Sequence, residues 1–165
     1  MGSNVDKFDI GSLTTYRAGA AQAAMHRMVQ KMTDDILRPF GVTKMQWMII
    51  GAVMDAGKAG VRISDIADTL GTTIAYLTNS INILESRNIL ERRDNLEDSR
   101  SKLVSVVPSY LDTCKLIETT MRKELRKSIY SKVDREEFIT YWKVLFQLIE
   151  VGKAEEKAAQ AAAKR

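Results

Sequence analysis

The side chains best suited to touching another molecule lie between Thr72 and Lys102. Thr72, Thr73, Ala75, Tyr76, Thr78, Asn79 and Asn82 share one side of a helical spacing whose other side is Ile74, Leu77, Ile81 and Leu84. Before Glu85 that polar face carries no acidic residue. Hydroxyls and amides without carboxylates suit a surface lined with phosphates, where a carboxylate would be repelled. Asn79 offers the donor and acceptor that a bidentate pair with adenine needs. The hydroxyls of Thr72, Thr73 and Thr78 suit phosphate or water-mediated contacts. Further on, Asp98-Ser99-Arg100 sets a carboxylate two residues from a guanidinium, so that one orients the other. An arginine at such a tip is drawn to the negative potential of a narrow minor groove. Arg92, Arg93 and Lys102 flank it. The same residues also read as a solvated helix face and a solvated hairpin with weak ion pairs.

These groups need a frame, and the flanking sequence predicts one. Leu13, Tyr16, Ala20, Ala24, Met28, Met32 and Ile36 recur at helical spacing over Leu13–Leu37, with Ser12 as N-cap and Pro39 and Gly41 as the stop. Thr43-Lys44-Met45-Gln46 reads as a capping box opening a helix with Trp47, Ile50, Val53 and Met54 inward. Asp55-Ala56-Gly57 closes it. Val61-Arg62-Ile63 is a strand stub, and Ser64 is the expected cap of a short helix over Asp65–Leu70. Gly71 allows a left-handed turn. Thr72 or Thr73 caps the next helix, which runs to about Arg87, and Asn88 stands where a positive φ is expected. Ile89–Arg93 and Leu103–Val107 are strand candidates around a long charged tip.

Helix, short helix, glycine turn, helix and hairpin form a helix-turn-helix with a wing. The second helix of such a unit enters the major groove. After Pro108, Ser109 caps a helix over about Tyr110–Ile129, and Asp134-Arg135-Glu136-Glu137 reads as a second capping box. The last helix carries a broad stripe of Phe138, Tyr141, Trp142, Leu145, Leu148 and Ile149. From Gly152 on, Ala, Lys and Glu predict a solvated or fraying helix. The expected fold class is mainly α with a small β-hairpin wing, in one domain over residues 1–165.

Composition narrows the function classes. The chain has 165 residues, 45% of them hydrophobic and 28% charged, which excludes global disorder. No window approaches a membrane span, and no apolar leader opens the sequence. One cysteine and one histidine cannot make a zinc site or an internal disulfide, so a reducing cytoplasm is the expected compartment. Cys114 lies in an apolar helix, where inert burial is expected. No phosphate-binding glycine loop and no nucleophile with a base is visible, so neither an enzyme nor a cofactor is expected. The net charge is +4, yet residues 61–110 hold six basic and seven acidic residues. A winged helix used only for protein contact is therefore the alternative to DNA binding.

Over Leu70–Val107 the chain resembles the winged helix of MarR-type (multiple antibiotic resistance regulator) transcription factors. Leu77-Thr78, Leu84, Ile89-Leu90 and Arg92 are similar to the family's pattern, as are Asp98 and Arg100 of the wing and Gln46-Trp47 of the earlier helix. The winged helix-turn-helix then spans residues 43–107. The chain departs in having Asn88 where glycine is common, and Val106-Val107-Pro108-Ser109 after the wing. The resemblance implies a homodimeric repressor on a palindromic operator in double-stranded DNA, with helices 12–38 and 109–152 forming the dimer and 153–165 a solvated tail. It also implies a small aromatic or phenolic effector that lowers DNA affinity. Tyr16, Arg17, His26, Arg27 and Trp47 are candidate contacts for it, beside methionines that suit an adaptable pocket. The same Met and Trp residues also read as core.

Overall fold

The computed structural model describes residues 9–98 and 101–163. The chain forms two compact units, Met1–Met121 and Arg122–Arg165. The first contains α1 (Thr15–Leu37), α2 (Lys44–Asp55), β1 (Val61–Arg62), α3 (Ile63–Leu70), α4 (Ile74–Ser86), β2 (Leu90–Asp94) and β3 (Lys102–Val106). Helix α5 (Leu111–Ser128) leads on from it, and α6 (Arg135–Ala163) lies in the second unit.

The core of the first unit is built by residues at helical spacing on three short helices, closed by the hairpin. Ile49, Ile50 and Val53 of α2 meet Ile66 and Ala67 of α3 and Leu77, Ile81 and Leu84 of α4. Val42, Ile89, Leu90, Val104 and Cys114 complete the cluster. Burying each such Leu or Ile contributes about 1.5–3 kcal/mol. The inward face of α2 is thus centred on Ile49, Ile50 and Val53, while Trp47 and Met54 pack at its margin. Ile74, expected in the buried stripe of α4, is 55% exposed. It is the first residue of the helix, one turn before the first buried position, Leu77.

Caps and turns fix the order of the helices. Thr43 and Gln46 form the reciprocal capping box, with bonds of 3.2 and 3.0 Å. Helix α1 starts later than expected. The Thr14 hydroxyl, not that of Ser12, accepts the Arg17 amide at 3.2 Å. The predicted stripe of α1 is also displaced. Leu13, Tyr16, Ala20, Ala24 and Met28 are exposed, whereas Thr33 and Leu37 are buried near its C-terminal end. Helix α3 has Arg62 at its N-cap, and Ser64 lies inside the first turn with its hydroxyl donating to Asp65 at 3.3 Å. Gly71 takes φ 59° and ψ 42°, the left-handed conformation that lets α3 end and α4 begin within three residues. Asn88 takes φ 55°, as its position predicts.

The sheet is antiparallel with strand order β1-β3-β2. In the hairpin Leu90 faces Val106, Arg92 faces Val104 and Asp94 faces Lys102. Each strand is shifted one residue towards the tip relative to expectation, and an Asp94–Lys102 ion pair closes the added rung. Gly60 brings the preceding turn against β3; a side chain there would meet the Val104 carbonyl at 3.1 Å.

In the second unit the Asp134 carboxylate accepts the amides of Glu137 and Glu136, at 3.2 and 2.8 Å, and they hold its carboxyl below the usual range. Along α6, Phe138 and Trp142 meet edge to face at 5.9 Å between centroids, and Trp142 and Phe146 lie 6.0 Å apart. No described residue of α6 is buried. The helix continues through 153–163 with every residue exposed.

Candidate nucleic-acid interface

Helix α4 presents its polar face because the opposite face is committed to the core. Leu77, Ser80, Ile81 and Leu84 are buried, which turns Ala75, Tyr76, Asn79 and Asn82 to solvent. Thr73 is the N-cap, its hydroxyl accepting the Tyr76 amide at 3.2 Å. That hydroxyl is spent on the helix, and the remaining free amides of the first turn point outward at the positive end of the helix dipole. Thr78 donates to the Ile74 carbonyl at 2.8 Å, so its methyl and hydroxyl are held against α4. Thr72 is half-buried beside Gly71.

The wing's cations differ in how they are held. Arg92 donates to Asn82 Oδ1 at 2.8 Å and ion-pairs with Glu85, tying β2 to the C-terminal half of α4. Arg93 sits on the other face of the strand and donates to the carbonyls of Ala59 and of Lys58, the latter at 2.6 Å. Lys102 pairs with Asp94 across the hairpin and holds that carboxyl below its usual range. Arg100 and Ser99 lie outside the described residues. Asp98 is exposed, and its charge acts on Arg62.

Arg62 is the residue that sequence reasoning passed over. Its guanidinium grips Asp65 with two bonds, of 2.9 and 3.0 Å. The hydrogen bond from Arg62 lowers the Asp65 carboxyl, and the bond to Asp65 raises Arg62 in turn. An Arg three residues before an Asp at a helix start is a visible local signal. Between α4 and the wing lies an open groove of about 350 Å³, lined by Arg62, Ile63, Ser64, Thr78, Asn82, Arg92, Ser101 and Lys102. The structure thus brings Thr78, Asn82, Arg92 and Lys102 into one concave surface. It does not bring Arg93 there.

The five candidate effector contacts are not gathered. Tyr16 is 81% exposed, and Arg17, His26 and Arg27 are exposed along α1. Tyr16 and Arg27 are eleven residues apart, on the order of 16 Å along a helix. Trp47 packs against the core of the first unit. Cys114 is fully buried, and burial pushes its thiol up to about 11.

Residues 40–101 match the sequence model of the MarR family. Over that segment the fold is a winged helix similar to that of the MarR family. Among solved structures, the MarR family regulator AbsC of Streptomyces coelicolor is similar over 86% of this chain and 97% of its own, with a TM-score of 0.73 at 20% identity. CouR of Rhodococcus jostii, solved with p-coumaroyl-CoA bound, covers 80% of this chain and 90% of its own, with a TM-score of 0.71 at 16% identity. MepR of S. aureus, solved as a DNA complex, covers 85% and 99%, with a TM-score of 0.68 at 21% identity. A search of curated protein sequences finds no match. The MarR-type fold accounts for the small three-stranded sheet and for the hairpin that follows α4. The segment matching the MarR model runs from Phe40, just before the capping box of α2, to Ser101, on the far side of the wing tip.

Proposed function

We propose that this chain is a sequence-specific, DNA-binding transcriptional regulator, acting as a homodimeric repressor that a small aromatic or phenolic ligand releases from its operator. The observation that carries the DNA reading is the exposed face of α4, free of carboxylates before Glu85 and flanked by a groove holding Arg62, Arg92 and Lys102. In this reading α4 lies in the major groove. Asn79 and Asn82 reach base edges, and Thr72, Thr73, Ala75, Tyr76 and Thr78 approach the backbone and thymine methyls. Arg100 enters the minor groove with Asp98 beside it, while Arg92 and Arg93 hold the wing in place. The DNA complex of MepR and the p-coumaroyl-CoA complex of CouR support the two ligand classes by analogy of fold. Tyr16, Arg17, His26, Arg27 and Trp47 stay candidates for the effector site.

Two-fold pairing would set the recognition helices roughly 34–36 Å apart, one turn of duplex. Selection of bound duplexes from a random pool therefore should return a palindrome with half-sites about 10 base pairs apart. Arg100→Ala should lower affinity for that palindrome and leave the dimer intact. A pool that returns no enriched sequence ends the reading. The acidic wing tip, with Asp94, Glu97 and Asp98, favours a second reading as a protein-contact module. Salt separates the two, because a DNA binder loses about 0.9 in log K per neutralised phosphate for each tenfold rise in salt.

A further inference from the structure

The amide of Asn82 is held in one orientation by a neighbour that can only donate. Arg92 Nη1 lies 2.8 Å from Asn82 Oδ1 and pairs with Glu85 through the same nitrogen. A guanidinium has no acceptor, so a flipped amide would set N–H against N–H. The clamp is partly shielded: the side chains of Arg92 and Glu85 are 24% and 26% exposed. Asn82 itself is exposed and lines the groove between α4 and the wing. Its oxygen is turned towards β2, which leaves the two Nδ2 hydrogens as the groups it offers to a ligand in the groove. One turn earlier on the same face, Asn79 is exposed, and among the described residues no hydrogen bond holds its amide.

Resting on the DNA-binding reading above, we propose that Asn82 is a donor-only specificity residue and Arg92 the positioning residue that makes it so. Reading adenine takes an amide oxygen for N6 and an amide nitrogen for N7, side by side. Asn79 can supply both. Asn82 has its oxygen aimed at Arg92, so its amide does not set oxygen and nitrogen side by side against N6 and N7, and it selects a base presenting acceptors alone at that edge: guanine through O6 and N7, or thymine through O4. Two asparagines three residues apart on one helix therefore read different bases, and the difference is written by an arginine on the wing.

The test compares selected-duplex profiles of the full-length wild type, Asn82→Ala, Asn82→Asp and Arg92→Met, with circular dichroism to follow folding. The wild type should prefer guanine or thymine at one base pair of each half-site. Asn82→Ala should flatten that position by roughly tenfold and spare the others. Asn82→Asp keeps an oxygen towards Arg92 and replaces the donors with an acceptor, so cytosine should rise at the same position. Arg92→Met frees the amide and should admit adenine there. If Arg92→Met does not fold, the cytosine shift of Asn82→Asp decides. A wild-type palindrome whose profile is indifferent to Asn82, or whose Asn82-dependent position prefers adenine, overturns this inference and leaves DNA binding standing. A wild type that selects no sequence overturns both.

Discussion

The winged helix and the last helix treat their apolar side chains in opposite ways. In the winged helix Ile49, Ile50, Ile66, Leu77, Ile81 and Leu84 have no exposed surface at all. In α6, Phe146 and Leu148 are each 62% exposed and Val151 59%, although that helix carries as dense an apolar stripe. Soluble monomers rarely expose contiguous apolar patches larger than a few hundred Å². The first region is completed by its own residues. The second leaves its stripe exposed, and the proposed second copy of the chain would cover it. In the proposed function the contrast separates two requirements on one sequence: a closed core behind α4, and an apolar face that would set where two copies stand.

Paired substitutions put the contrast at risk. Leu77→Ala empties a fully buried site and should cost about 2–5 kcal/mol in urea unfolding, with the oligomeric state of the folded protein unchanged. Phe146→Ser removes an exposed ring, so its main effect should be on the proposed association: sedimentation should show a dimer for the wild type and monomer for the variant at the same concentration. If Phe146→Ser leaves association alone and unfolds the protein as severely as Leu77→Ala, the distinction between the two regions is wrong.

Most of the frame was readable because it is encoded locally. A capping box needs Thr43 and Gln46 only, a left-handed stop needs Gly71 or Asn88 only, and spacing finds Leu77, Ile81 and Leu84 of α4 but only Ile50 and Val53 of α2, where Ile49 is buried in place of Trp47 and Met54. The errors share a cause as well. Ser12 and Ser64 are good cap types, but Thr14 and Arg62 stand where the backbone turns extended before each helix. Ile74 fits the stripe of α4 by spacing, yet lies a turn beyond the point where the core ends. The wing arginines were legible as cations and not as struts. Arg92 meets Glu85 and Asn82, seven and ten residues away, and Arg93 meets carbonyls 34 and 35 residues away. No local pattern announces partners that only the folded sheet brings near.

Cys114 reports how tightly the first region is closed. Its thiol is fully buried and pushed up to about 11 by desolvation. In the unfolded chain it ionises near ~8.5. Between those values the unfolded state has lost the proton and the folded state has kept it, so stability complete below ~8.5 declines as pH rises towards about 11. Cys114→Ala should show a shallower decline over that window. At pH 8 iodoacetamide should label the native thiol far more slowly than the thiol in urea. Fast native labelling would mean that the core opens readily, and the contrast with α6 would weaken.

The smallest effect is expected at the far end of α6. Residues 153–163 are helical and exposed throughout, with Ala, Lys and Glu in place of the Phe146–Val151 stripe. An exposed helix extension without an apolar face gains little beyond its own backbone bonds, which are marginal in water. Removing residues 153–165 should therefore change stability by no more than about 0.5 kcal/mol and the melting temperature by about 2 °C or less. It should also leave self-association intact, since the stripe proposed to carry it ends at Val151. A shortened chain that loses the dimer while keeping its fold would move the interface past Gly152 and make the tail part of it. A shortened chain that melts many degrees lower would place the tail against a surface of its own protomer.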